Sequence, residues 1–363
     1  MQNLFDEILA SIAAPDEAAM EAVRARQLIL AKPPKSLGRL EEISVQIAGI
    51  TGRLYNRADR RRVLVFASDN GIVEEGVASA PQSVTLAQTI NIARGLTGVG
   101  VLARHYHSEI DVIDLGVNAD FSFPGVRNEK IAFGTKNFAV EPAMTREQAL
   151  SAIGSGIRAV QLAKDDGVEI LGVGEMGIGN TSTSSAVLCA LTGLPAEAAV
   201  SRGGGVNDAG FARKKAVIDG ALAAWKPDPA DPIDVLAKVG GFDLCGMTGA
   251  FLGAAAVRIP VVIDGFISAV AALCAARLNP LCVHFMIPSH ASMERGYAVA
   301  MDALGLKPML ALDMRLGEGS GCPIAFEIVS AALDVLERMA TFSEASIDDG
   351  YLDEIRANER FQG

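Results

Sequence analysis

Residues 309–323 read MLALDMRLGEGSGCP, and the parsing of this stretch decides the fold of the chain. Residues 309–312 form an apolar run long enough for one buried strand and too short for a helix. The chain then passes through Asp313 and Arg315 into Gly317-Glu318-Gly319-Ser320-Gly321. Around Pro323 a helix is expected, because Ile324, Ile328, Ala331, Val335 and Met339 recur at a helical period. Proline suits the first turn of such a helix, where its missing N–H removes no hydrogen bond. Strand, glycine loop and helix together form a unit of an open α/β sheet, in which ligands bind at the carboxyl ends of the strands. An isolated acid in a turn would read as solvated; this context places Glu318 at a functional edge instead.

Five further runs repeat the pattern. Residues 63–67 end in Ser68-Asp69-Asn70-Gly71, and residues 110–115 end in Gly116. Residues 168–173 end in Gly174-Glu175-Met176-Gly177, and residues 261–263 end in Asp264-Gly265. Residues 282–287 end in Pro288-Ser289-His290, with His284 expected inside the strand as a core residue. Near-continuous apolar strands alternating with helices imply a parallel sheet covered on both faces. The fold class expected is therefore α/β, with a Rossmann-like parallel-sheet large domain over residues 51–324. Residues 1–50 and 325–363 read as helical and would form a small helical domain from both termini. Lys32-Pro33-Pro34-Lys35 interrupts the first of these segments.

Composition narrows the function classes. The chain has 363 residues, 50% of them hydrophobic and only 5% aromatic, with 37 Gly, as expected for a core of closely packed small aliphatics. Its 43 acidic and 32 basic residues leave a net charge of −11, with no basic run able to grip nucleic acid. Five cysteines without CxxC pairing read as buried thiols in a reducing compartment. The opening residues carry acids where a signal peptide needs basic groups. Residues 259–276 are interrupted by Pro260, Asp264 and Gly265, so they read as a core strand and helix and not as a membrane span. A cytoplasmic protein without membrane or nucleic-acid partners is expected.

Two glycine segments carry candidate chemistry. Gly172, Gly174 and Gly177 match GxGxxG, which opens the alternative of an NAD-binding oxidoreductase. That reading also wants an acid at the end of the next strand. Glu197 has the spacing, yet it follows Leu194-Pro195-Ala196 with no strand before it. The residues that follow, Gly179-Asn180-Thr181-Ser182, read better as an anion-binding helix start. Ser201-Arg202-Gly203-Gly204-Gly205-Val206-Asn207-Asp208 is a second glycine loop, and Lys214 on the helix after it could supply positive potential. The four histidines form no HxxxH or HExxH grouping, so no metal is expected, and His290 at a strand end is the one placed to touch a ligand. Neither a GxSxG elbow nor a GxxxxGK[ST] phosphate loop is present.

Taken in order, these loops resemble the nicotinate-nucleotide–dimethylbenzimidazole phosphoribosyltransferase family. The resemblance runs nearly end to end. It covers Lys32-Pro33-Pro34 with Ser36-Leu37-Gly38-Arg39-Leu40-Glu41, Ser68 to Ile72, Gly174 to Thr181, Asp264 to Ser268, Ser289-His290 with Ser292 and Glu294, and Leu316 to Gly321. Departures are few: Lys35 stands where the family usually has Gly, Asn207 where Asp is common, and Cys322-Pro323 where Ala is frequent.

The resemblance implies a homodimer with active sites at the strand ends near the subunit interface. It implies Glu318 as catalytic base and Glu175 as a second functional carboxylate. Substrate contacts are implied at Gln88, Met176, Gly177, Gly179, Asn180, Thr181, Gly203, Gly205, Asp208, Lys214, Gly265, Ser289, His290, Ser292 and Leu316. The substrates implied are nicotinate mononucleotide and a benzimidazole-type base, with neither metal nor cofactor. A catalytically silent nucleotide-binding member of the same fold is the remaining alternative, and the presence of both glutamates argues against it.

Overall fold

The computed structural model describes residues 2–203 and 205–353. Three helices open the chain: α1 (Gln2–Ser11), α2 (Glu17–Ile29) and α3 (Arg39–Thr51). Strand β1 (Arg61–Ser68) is followed by α4 (Ser83–Ala93), α5 (Gly98–His105), β2 (Glu109–Gly116) and a short β3 (Val126–Asn128). Helix α6 (Arg146–Asp165) leads into β4 (Ile170–Met176). Five helices separate β4 from the next strand: α7 (Asn180–Thr192), α8 (Ala196–Ala199), α9 (Asp208–Trp225), α10 (Pro232–Val239) and α11 (Phe242–Ala256). The chain closes with β5 (Val261–Ile263), α12 (Phe266–Leu278), β6 (Met286–Pro288), α13 (Arg295–Leu304) and α14 (Gly321–Arg338).

The six strands form one parallel sheet in the order β3-β2-β1-β4-β5-β6. Chain direction across the sheet reverses beside β1, which pairs with β2 on one side and β4 on the other. Loops leaving β1 and β4 therefore diverge to opposite faces and open a crevice at the carboxyl ends.

Side chains alternate between two cores, as a pleated strand requires. Val63, Val65 and Ala67 of β1 join Val262 and Ile287 beneath α3, α5 and α14, represented by Ile47, Val99 and Phe326. Leu64 and Phe66 join Leu171, Val173 and Ile263 beneath α6, α10, α11 and α12, represented by Ile153, Leu236, Phe251 and Val270. Burying one such side chain stabilises the fold by about 1.5–3 kcal/mol. With both faces covered there is no polar face, which is why the strands read as continuous apolar runs.

Three expectations are corrected. Residues 309–312 are not a strand: only Leu310 bridges the sheet, opposite His290, and Leu312 is 49% exposed. The three-residue β6 ends just before this point, so a single pair falls in register. The sixth strand is β3, an edge strand whose residues are half-buried or exposed and which carries no apolar run to betray it. Within residues 282–287 the chain is mostly a 3-10 helix (Pro280–Phe285), and His284 is exposed instead of buried in a strand. Pro280 and the Asn279 cap, which accepts from Leu281 N–H, start that turn.

The helical reading of the last forty residues holds for α14; among the described residues after Arg338 a 3-10 turn (Gly350–Leu352) follows, and residues 354–363 of that reading lie outside the described residues. Helix α14 runs through the expected boundary at residue 324. Its first turns pack on the sheet through Cys322 and Phe326, while Leu336 at its far end packs with Val23 of α2 and Ala48 of α3. Helix α1 lies against α6 and α11. Among the described residues no helix is long and apolar enough to cross a membrane.

Candidate active site

At the carboxyl rim beside the switch point, β1 delivers Asp69 and Asn70, β4 delivers Glu175, β5 delivers Asp264, and β6 delivers Ser289 and His290. All six are buried. They surround or underlie a cavity of about 330 Å³.

Glu175 is the penultimate residue of β4, so the strand itself fixes it. One carboxylate oxygen accepts from the Asn180 amide at the start of α7, and the other accepts from the backbone N–H of Glu318 at 3.1 Å. Burial, reinforced by the neighbouring Asp243 charge, pushes its carboxyl up to about 8 against those two hydrogen bonds. Asp243, fully buried in the first turn of α11, is pushed up to about 6 by the same desolvation.

Glu318 reaches the cavity from the loop before α14. Its backbone is left-handed at φ 63°, between Gly317 at 85° and Gly319 at 87°. A non-glycine residue in this region costs about 1–3 kcal/mol unless its surroundings hold it there. Three sets of contacts do so. Its N–H is taken by Glu175, and its carboxylate accepts from Val99 N–H at 3.1 Å at the start of α5, with Thr97 and Gly98 as further donors. The third is Asp264, whose two oxygens accept from Gly319 N–H at 3.0 Å and Gly321 N–H at 2.7 Å. Burial raises the Glu318 carboxyl above its ordinary range, opposed by the donors of α5.

This loop explains the GxG of β4. A Cβ on Gly174 would lie 2.5 Å from the Glu318 carbonyl oxygen, and one on Gly172 would lie 2.5 Å from Cys322 Cβ. Both glycines sit inside the strand and let the Glu318 loop and α14 press onto it. A dinucleotide fingerprint needs them in the turn after the strand. The oxidoreductase alternative therefore has no site.

The opposite end of the cavity is of another kind. Thr181, in the first turn of α7, accepts at 2.8 Å from Lys214 Nζ, which also reaches the Ser201 carbonyl at 3.4 Å. Lys214 is 1% exposed, and burial pulls its ammonium down to about 8, with Glu294 opposing. Ser182 and Ser184 in the same turns of α7 hold buried hydroxyl oxygens with no hydrogen-bond partner among the described residues.

Of the residues singled out from sequence, Glu318, Glu175, Gln88, Met176, Gly177, Gly179, Asn180 and Thr181 line the cavity. So do Gly203, Gly265, His290, Ser292 and Leu316. Lys214 lies behind Thr181, and Ser289 lies behind His290, whose Nδ1 is 3.0 Å from the Ser289 hydroxyl. Gly205 and Asp208 are not brought to the cavity: the Asp208 side chain is 93% exposed and pairs with Arg202. Its place at the start of α9 turns it to solvent. Sequence reasoning gave no role to Asp243, Asp264 or Thr97-Gly98-Val99. Asp264 stood in a quoted motif, and Gly240-Gly241 ahead of Asp243 was an available signal, but the α5 contact joins segments with no pattern in common. Among the described residues no group of three or more His, Cys, Asp or Glu could hold a metal ion.

Comparison with known proteins places the chain in a family. A phosphoribosyltransferase family model matches residues 12–347. A nicotinate-nucleotide–dimethylbenzimidazole phosphoribosyltransferase of Clostridium perfringens is 51% identical over 356 residues, covering 98% of this chain and 99% of that protein. One of Ruminiclostridium cellulolyticum is 49% identical over 344 residues, covering 95% and 98% respectively. The crystal structure of the Thermus thermophilus protein of that name superimposes with a TM-score of 0.87 at 37% identity, over 92% of this chain and 100% of that one. With a shared fold and a near-complete alignment, the chain belongs to the nicotinate-nucleotide–dimethylbenzimidazole phosphoribosyltransferase family.

Proposed function

We propose that this protein moves the 5-phosphoribosyl group from nicotinate mononucleotide to 5,6-dimethylbenzimidazole or a related base, giving alpha-ribazole 5'-phosphate and nicotinate. One observation carries the reading: Glu175 and Glu318, 143 residues apart, meet in one cavity through a 3.1 Å hydrogen bond.

In this reaction a benzimidazole nitrogen bonds to C1′ as the bond from C1′ to the pyridinium nitrogen breaks, its electron pair leaving with nicotinate. The leaving ring departs as a neutral pyridine-type nitrogen and needs no general acid. The incoming ring must lose its N–H proton, and Glu318 accepts it. A carboxyl raised by burial is a stronger base than one in water, and such a base contributes about 10²- to 10⁴-fold. Alignment of the two rings on opposite faces of the ribose supplies much of the rest and inverts C1′.

Electrostatics supports the same assignment. Glu175, Asp243, Asp264 and Glu318 have no Lys or Arg partner among the described residues; His290, 3.9 Å from Asp264, is their nearest basic group. A positively charged pyridinium in this pocket draws the raised Glu175 carboxyl back towards its ionised form, and the carboxylate so formed stabilises the charge that develops on the sugar. Met176, Leu316 and Gln88 frame the slot for the acceptor ring, and Gly177 to Thr181 with Lys214 form the phosphate end.

We infer a cytoplasmic homodimer as well. Leu96, Val101, Leu312 and Leu316 are 49–58% exposed on the segments that flank the site, an apolar surface of the kind a partner covers. Five buried free cysteines suit a reducing compartment. The division into a sheet domain (51–324) and a helical domain from both ends (1–50 and 325–363) is likewise proposed, with α14 as the continuous link. Sedimentation velocity tests the dimer. Incubation with nicotinate mononucleotide and a panel of benzimidazoles, purines and phenols, following nicotinate release, tests the reaction. Release that depends on a benzimidazole is expected, and none with any base would refute it.

A further inference from the structure

Asp264 follows β5 directly and is 1% exposed. It is anchored on both sides of its own backbone: its N–H donates to the Ser268 hydroxyl at 3.2 Å, and its carbonyl accepts from the Ser289 hydroxyl at 3.2 Å. From this fixed base its carboxylate spans the two glycines that follow Glu318. Oδ2 takes the N–H of Gly319 at 3.0 Å and Oδ1 takes that of Gly321 at 2.7 Å. Three consecutive residues at positive φ, Gly317 to Gly319, cannot hold one another through a strand ladder or helix turns. The loop's own bonds are two turns, Ser320 N–H to the Gly317 carbonyl and Cys322 N–H to the Gly319 carbonyl, each at 3.0 Å, and Asp264 is the side chain that ties the loop down on the carboxyl side of Glu318.

We propose that Asp264 is the positioning residue for Glu318, setting the loop so that the Glu318 carboxylate meets the N–H of the incoming base. Asp264 exchanges no proton and acts only through the loop. The inference rests on the reading of Glu318 as the base. Burial pushes the Asp264 carboxyl up to about 7, opposed by the glycine N–H groups that it accepts.

The test uses the full chain with Asp264→Asn, Glu318→Gln and the double variant, each assayed by nicotinate release at saturating substrates. The amide retains an acceptor for one glycine N–H and loses the other. Asp264→Asn should lower kcat by about 10- to 100-fold, the scale expected for a misplaced catalytic group, while KM for nicotinate mononucleotide stays within about threefold. Because Asp264 acts through Glu318, the double variant should be no slower than Glu318→Gln alone. With 1-methylbenzimidazole, which has no N–H to lose, the Asp264→Asn deficit should disappear. Wild-type kcat in Asp264→Asn, fully multiplicative losses in the double variant, or an undiminished deficit with the methylated base would each overturn the proposal. Near-normal turnover in Glu318→Gln would instead remove the base assignment itself. If Asp264→Asn fails to fold by circular dichroism, Asp264→Ser carries the same comparison.

Discussion

The two ends of the cavity bury acids and a base apart from each other: among the described residues none of the acids pairs with a Lys or Arg, and Lys214 pairs with no acid. At one end four carboxyls stand among amide donors and one another, and burial raises them: Glu175 to about 8, Asp264 to about 7, Asp243 to about 6, and Glu318 above its usual range. At the other end Lys214 is pulled down to about 8, and its hydrogen-bond partners among the described residues are the Thr181 hydroxyl and the Ser201 carbonyl. Stability alone would set the lysine against the acids, since a buried charge without a partner is costly. On the proposed reading, keeping them apart makes each end complementary to one part of a zwitterionic nucleotide, the cationic ring at the acids and the phosphate at the lysine.

The largest effect should come from the acid end. Glu318→Gln keeps the shape of the side chain and removes the base, so kcat should fall by about 10²- to 10⁴-fold with nicotinate mononucleotide affinity unchanged by calorimetry. Loss of binding in step with turnover would mean that the residue serves the ground state.

Next comes Lys214→Met. Removing one charge-assisted hydrogen bond costs about 1.5–3 kcal/mol, so KM for nicotinate mononucleotide should rise roughly 10- to 100-fold while kcat changes little. A kcat loss without a KM change would break the two-ended account.

Glu175 sharpens the comparison through pH. Its folded value lies above the ordinary 4.5. Its contribution to stability is therefore complete below that pH and is lost as pH rises towards about 8. Glu175→Gln should raise the ligand-free Tm at pH 8.5 and leave it nearly unchanged at pH 4.5, measured by calorimetry. An equal shift at both pH values would mean that no charge is being removed.

The smallest effect belongs to Thr97→Val. Loss of its hydroxyl takes one donor from Glu318 and the cap from α5, so the acid limb of the kcat profile should move to higher pH. Stability should fall by about 1 kcal/mol. Thr97→Ser should restore both.

Thr181 and Lys214 at the lysine end were legible in the sequence, but only two of the four carboxyls at the acid end were. Glu175 and Glu318 announce themselves because glycines flank them at strand and helix boundaries, where local pattern and global fold coincide. Asp243 and the α5 contact stayed hidden because tertiary packing alone brings them to the site. The strands with two covered faces were readable as apolar runs, whereas β3 at the sheet edge carries no such run. The residues at 309–312 carried one and still make only a single bridge, because strand pairing depends on the neighbour's length as well as on hydrophobicity. Asp208 shows the converse: a glycine-rich approach gave it the look of a ligand, and the helix start that follows turned it to solvent.

The most direct measurement compares wild type and Glu318→Gln on 5,6-dimethylbenzimidazole and on 1-methylbenzimidazole, following single-turnover nicotinate release with nicotinate mononucleotide saturating. Removal of the ring proton by Glu318 predicts a large deficit with the first base and a ratio within about threefold with the second, where there is no proton to remove. An equal deficit with both bases would contradict the assignment of Glu318 as the base.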